Sequence, residues 1–205
     1  MGFDCSFNKK EIKTDEPKEK RKRTSVAYYE LRPKYVYKRA HSELQLLNCL
    51  NDKKLEKGVS YNFITSGDVD QMSYLSLALR TFKKLDYLLF STWCMASEDI
   101  TYLFNLHEQG IIKKMDAYVG EIFKGSYPKE YQCLLDWYEK YPIGRVALFR
   151  NHSKIFAGMS ECGQGFGIQS SANINTNPRT ENGNITVDNG IYEFYKEYFD
   201  GINSF

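Results

Sequence analysis

Residues 152 to 154 read His-Ser-Lys, and about twenty residues later the chain reads "GIQSSANINTNPRTEN". An imidazole can act as nucleophile or proton donor, an ammonium supplies a point charge, and hydroxyl and carboxamide groups supply neutral donors. Together they suit a phosphate group and require no metal or other cofactor. The chain holds only three histidines, which draws attention to this one. His41, at the start of a helix, and His107, near the end of another, read instead as surface or structural histidines.

For these groups to act together the chain must fold back on itself. The segments 152–157 and 166–173 are extended-looking runs separated by Gly158, Gly163 and Gly165, the composition of a β-hairpin. A turn centred near Cys162 and Gly163 would set His152 opposite Asn173 and Lys154 opposite Ser171. Side chains two apart on a strand share a face, so this register predicts His152, Lys154, Ser171 and Asn173 on one patch.

The hairpin must be carried by a larger framework, and the chain from about residue 40 onward alternates helix and strand, which predicts an α/β domain. Leu44, Leu46, Leu47 and Leu50 mark a first helix, "VSYNFITSG" a strand, 71–83 a second helix and 85–92 a buried strand. Ser97 is the expected N-cap of a helix that stops at Gly110. A strand follows over 115–123, then a helix with Pro128 in its first turn, then a strand over 145–149. No internal repeat is visible.

Residues 9–24 (KKEIKTDEPKEKRKRT) carry eight basic and four acidic side chains, a local +4 against a whole-chain charge of +2. The expected organisation is a disordered basic tail over 1–25 and a folded domain over 26–205. Such a tail can bind nucleic acid through phosphate contacts. The longest apolar run is about twelve residues, short of the roughly twenty needed to cross a bilayer, so no membrane contact is expected. No secretory start is visible, and the predicted location is cytoplasmic. Cys5, Cys49, Cys94, Cys133 and Cys162 show neither metal-ligand spacing nor pairing and read as reduced thiols.

The His152-Ser-Lys154 and Ser170-Ser-Ala-Asn173 elements resemble the phospholipase D superfamily, whose signature is H-x-K, an acid after four intervening residues, and then G-S-x-N. Ser170 stands in place of the glycine, and Met159 in place of the acid. The stretches "ITSGD", "STW", "NHSK", "SSANINTNPRTEN" and "IYEFYKEYFDGI" are similar to compact single-motif members found in phages and mobile elements. The resemblance covers about 58–202. It implies a mixed sheet flanked by helices, one half-unit per chain, and a catalytic set of His152, Lys154, Ser171, Asn173 and Glu181. In that set Glu181 is the acid that would orient the histidine. It also implies a two-step route in which one imidazole attacks phosphorus and a second protonates the leaving oxygen. One motif supplies one imidazole, so the site would be completed by a two-fold homodimer. The expected function is a metal-independent phosphodiesterase, a nuclease. The alternative is a nucleic-acid-binding or regulatory protein with a degenerate phosphate pocket.

Overall fold

The computed structural model describes residues 34–174 and 179–204. The basic stretch 9–24, the boundary expected at residue 25 and Cys5 lie outside the described residues.

Two apolar stripes on each central strand set the layers. In β2 (Leu85–Thr92), Leu88 and Phe90 point to one side and Leu89 to the other, and all three are fully enclosed. In β3 (Ile112–Gly120), Met115, Ala117 and Val119 join the first side and Tyr118 the second. A strand that is apolar on both faces needs cover on both.

The larger cover comes from α1 (Lys34–Cys49), α2 (Gln71–Phe82), α3 (Ser97–Glu108), the short α4 (Glu121–Ser126) and α5 (Pro128–Lys140). The second face is covered by α6 (Asn189–Asp200), which lays Tyr195 and Phe199 on Leu89, Tyr118 and Ala157. Arg145 ties the C-terminus of α6 to the sheet, donating to the carbonyl of Phe199 at 2.8 Å and to the Tyr118 hydroxyl at 3.0 Å.

The remaining strands are β1 (Ser60–Thr65), β4 (Val146–Phe149), β5 (Ile155–Ser160), β6 (Gly165–Ser170) and β7 (Glu181–Thr186). They complete one mixed sheet in the order β1-β7-β6-β5-β2-β3-β4, with β2, β3 and β4 parallel and the other pairings antiparallel. This order sends the ends of β1, β2, β3, β4 and β6 and the starts of β5 and β7 to the same end of the sheet.

Several sequence expectations shift. The strand expected over 115–123 stops at Gly120, where the chain turns into α4. Ser97 is the first helical residue of α3 and Ala96 its N-cap; Asp99, three residues into the helix, accepts from the Ala96 N–H at 3.2 Å. The largest correction concerns the hairpin register. Ile155 faces Gln169 and Met159 faces Gly165, so Lys154 stands opposite Ser170 and not Ser171. The turn is three residues long. Gly163 donates to the Ser160 carbonyl at 3.0 Å with φ +76°, a type I turn completed by a left-handed glycine, and Ser160 and Gln164 pair across it.

Candidate active site at one end of the sheet

A one-residue change of register would turn every side chain to the wrong face if the strands ran on regularly. They do not: β5 begins at Ile155 and β6 ends at Ser170, so all four expected residues of the patch sit in the flanking loops. What gathers them is side-chain anchoring. Asn151 is buried, and its carboxamide donates to the Ser91 hydroxyl at 2.8 Å and the Tyr118 carbonyl at 3.0 Å. Its oxygen accepts from the Ser153 N–H at 2.9 Å and the Ser153 hydroxyl at 2.7 Å. The loop carrying His152 is thereby bolted to the ends of β2 and β3. Gly120 permits the approach, because a Cβ there would lie 2.7 Å from the Asn151 carbonyl oxygen and 2.9 Å from the Trp93 ring.

His152 is exposed, with its ring 5.4 Å from that of Trp93. Lys154 is 6% exposed and reaches back to it, with Nζ 3.0 Å from His152 Nδ1 and 2.6 Å from the His152 carbonyl oxygen. An ammonium has only N–H to offer, so Nδ1 accepts and the ring proton of a neutral imidazole stands on Nε2. Burial pushes the Lys154 ammonium below its ordinary pKa, while Cys94 and Glu181 act the other way.

Ser171 and Glu181 form the facing wall. The Ser171 hydroxyl donates to Glu181 Oε2 and accepts from the Asn182 N–H at 3.0 Å, which commits it on both sides. Ser171 therefore holds Glu181 in place and has no hydroxyl proton left for a ligand. The hydrogen bond by which Glu181, as the orienting acid, would accept from the His152 ring is not made; Glu181 accepts from Ser171 and reaches the histidine's neighbour Lys154 through its charge. Burial, followed by the Glu181 charge, pushes the Tyr74 phenol up to about 12. Asn173 is half-buried beside the start of α2, its carbonyl accepting from the Gln71 N–H at 3.2 Å. Ser170 closes the turn after β6 by donating to the Ala172 carbonyl at 2.8 Å.

Met159 lies in β5 five residues beyond Lys154, about 16 Å along an extended strand. The position where the signature has its acid is therefore remote from the cluster, and Met159 subtracts no charge from it. His107 uses Nδ1 on the Ile112 carbonyl at 2.9 Å, and exposed His41 pairs with Gln45 on α1, the structural and surface roles expected of them. Sequence reasoning left out Asn151, Trp93 and Gln71. Asn151 and Trp93 fall in the stretches "NHSK" and "STW" but were given no role there, and Gln71 carried no signal.

No model of a protein family matches the sequence, and no curated protein does. Among solved structures, the chain is similar to polyphosphate kinase from Porphyromonas gingivalis. The TM-score is 0.53 at 14% identity, over 78% of this chain and 28% of the kinase. The chain has a phospholipase-D-like fold. Yeast tyrosyl-DNA phosphodiesterase matches more loosely, with a TM-score of 0.41 at 10% identity over 62% of this chain and 31% of that one. The phospholipase-D-like sheet of this chain carries His152 and Lys154 at the junction of β4 and β5, Asn173 in the loop after β6, and Glu181 as the first residue of β7. No helix among the described residues is long and apolar enough to cross a membrane.

Proposed function

We propose that this protein is a metal-independent phosphodiesterase acting on nucleic acid through a phosphohistidine intermediate at a homodimer interface. The observation that carries the reading is the contact between an exposed imidazole and a buried, desolvated ammonium at the rim of a phospholipase-D-like sheet. An enclosed cation has lost hydration that a phosphate oxygen can replace with a charge-assisted hydrogen bond. As the phosphate draws Lys154 Nζ, Nδ1 is released to carry the ring proton and Nε2 presents its lone pair to phosphorus. The N–P bond forms as the P–O bond to the leaving group breaks, and the departing oxygen takes a proton from His152 of the second subunit, which enters the step as an imidazolium and leaves it as a neutral imidazole. That same imidazole then removes a proton from water, which attacks phosphorus, breaks the N–P bond and returns His152 to its free state.

A second reading is a nucleic-acid-binding protein that holds phosphate without turnover. It is favoured by the tautomer that Lys154 imposes, since a proton on Nε2 blocks attack until the lysine moves. The test is incubation with labelled single- and double-stranded DNA and RNA in EDTA, beside His152→Ala. Cleavage by the wild type that falls about a thousandfold or more in the variant supports the enzyme. Binding without cleavage supports the second reading.

A further inference from the structure

The proposed chemistry takes from His152 the hydrogen bond that holds it. Among the described residues its ring has one hydrogen-bonding partner, Lys154 Nζ on Nδ1, and one ring neighbour, Trp93. The acid that would otherwise orient it is engaged elsewhere, because Glu181 accepts from Ser171. When Lys154 turns to a phosphate oxygen, Nδ1 gives up its partner, and Trp93 alone of the two remains beside an exposed imidazole. A reacting group displaced by about 1 Å can lose a hundredfold in rate, so the orientation of this ring matters most at that moment.

Trp93 is held where it stands. It directly follows β2, and the turn that carries it is tied on both sides. The buried Thr92 hydroxyl donates to the Cys94 carbonyl at 2.8 Å, and Asn151 Nδ2 donates to the Thr92 carbonyl at 3.4 Å. The half-buried indole packs on the main core, and its Cδ1 edge lies against Gly120, where a Cβ would come within 2.9 Å. Its ring centroid stands 5.4 Å from that of His152 with the planes inclined at 53°, the spacing of an attractive aromatic pair. The Asn151 carboxamide serves both rings, since its NH2 group fixes the turn of Trp93 and its oxygen accepts from the Ser153 N–H in the loop of His152.

We propose that Trp93 is a positioning residue for His152: its ring is the wall that keeps the imidazole aimed at phosphorus after Lys154 has moved to the phosphate. This rests on the phosphodiesterase reading given above. Trp93 acts through the imidazole and takes no part in bond making.

Two measurements test it, one of which needs no substrate. In the free protein, Trp93→Leu should shift the ring-proton resonances of His152 in a ¹H–¹³C spectrum and leave those of His41 and His107 in place. Trp93→Phe should shift them less. Unmoved His152 resonances in both variants would overturn the proposal. The second measurement is steady-state cleavage of a labelled oligonucleotide in EDTA. Trp93→Leu should lower kcat about ten- to a hundredfold with KM within about twofold of the wild type, because a guide for the ring is lost and not a binding surface. Trp93→Phe, which keeps a flat ring, should recover kcat to within about fivefold of the wild type. A raised KM at unchanged kcat would make Trp93 a substrate contact, and equal losses of kcat in the two variants would make it a support of the fold. Either result would overturn the proposal. If the wild type cleaves nothing while the His152 resonances shift, the contact between the rings stands and the phosphodiesterase reading falls.

Discussion

Enclosing an ammonium group costs free energy, and Lys154 recovers only part of it from the His152 carbonyl and ring nitrogen. Its folded pKa lies below its ordinary value of 10.5. Between those two values the unfolded chain binds more protons than the folded one, so stability rises with pH across that window. Below it the full penalty of the buried charge is present. Lys154→Met removes that charge at similar length, so its thermal midpoint at pH 7 should be no lower than the wild type's. Its affinity for inorganic phosphate should fall at least about tenfold. Wild-type affinity should also decline as pH rises through the lowered Lys154 pKa, a step the variant lacks. Calorimetry at a series of pH values checks both. His152 and Lys154 were legible in the sequence because their side-chain types are scarce and reactive. Asn151 was given no role, since it anchors its loop through Ser91 and Tyr118, far away in the chain.

Among the elements, β7 shows most clearly what a local reading misses. "ENGNIT" opens with four residues that disfavour strands, and only Ile185 and Thr186 favour one. It becomes a strand because β1, distant in the chain, and β6, the strand before it, offer it partners on both edges. The largely apolar β2 and the proline-led α5 needed no such help and were read directly. The hairpin was legible but one residue out of register, because the three-residue turn with a left-handed Gly163 is centred on Cys162 and not between Cys162 and Gly163. The small size of Gly183 within β7 is also set by a distant partner: a Cβ there would lie 2.3 Å from the ring of Tyr74, a side chain 1% exposed. Gly183→Ala should therefore destabilise the fold by about 1–3 kcal/mol, read as a lower urea midpoint at unchanged slope. Tyr74→Phe should recover part of the loss, because the phenol oxygen is also within 2.4 Å of the added carbon.

At the scale of the whole molecule, the α/β class was legible because helix and strand periodicities alternate along most of the chain, whereas the mixed sheet flanked by helices was implied only by the resemblance of the His152 and Asn173 elements. Assembly is a separate matter, for which the chemistry gives the reason: one signature supplies one imidazole, and the double displacement needs two. In a shared cleft each turnover uses both copies of His152. When wild-type and His152→Ala protein are unfolded together and refolded, activity should therefore fall with the square of the wild-type fraction. A linear fall would show that each subunit works alone. The same preparations should sediment as dimers, with an interface of about 1,200 Å² or more expected for a permanent pair.

The central claim is that the His152 imidazole bonds to phosphorus, and this can be read by mass. Phosphorus on an imidazole nitrogen withstands alkali and is lost in acid, so turnover on a labelled oligonucleotide should be stopped with base and the digested protein examined for a modified peptide. The account predicts an acid-labile phosphoryl or nucleotidyl adduct on the peptide containing His152, absent from His152→Ala and formed in EDTA. Cleavage with the adduct on another residue, or cleavage that persists in His152→Ala, would contradict it.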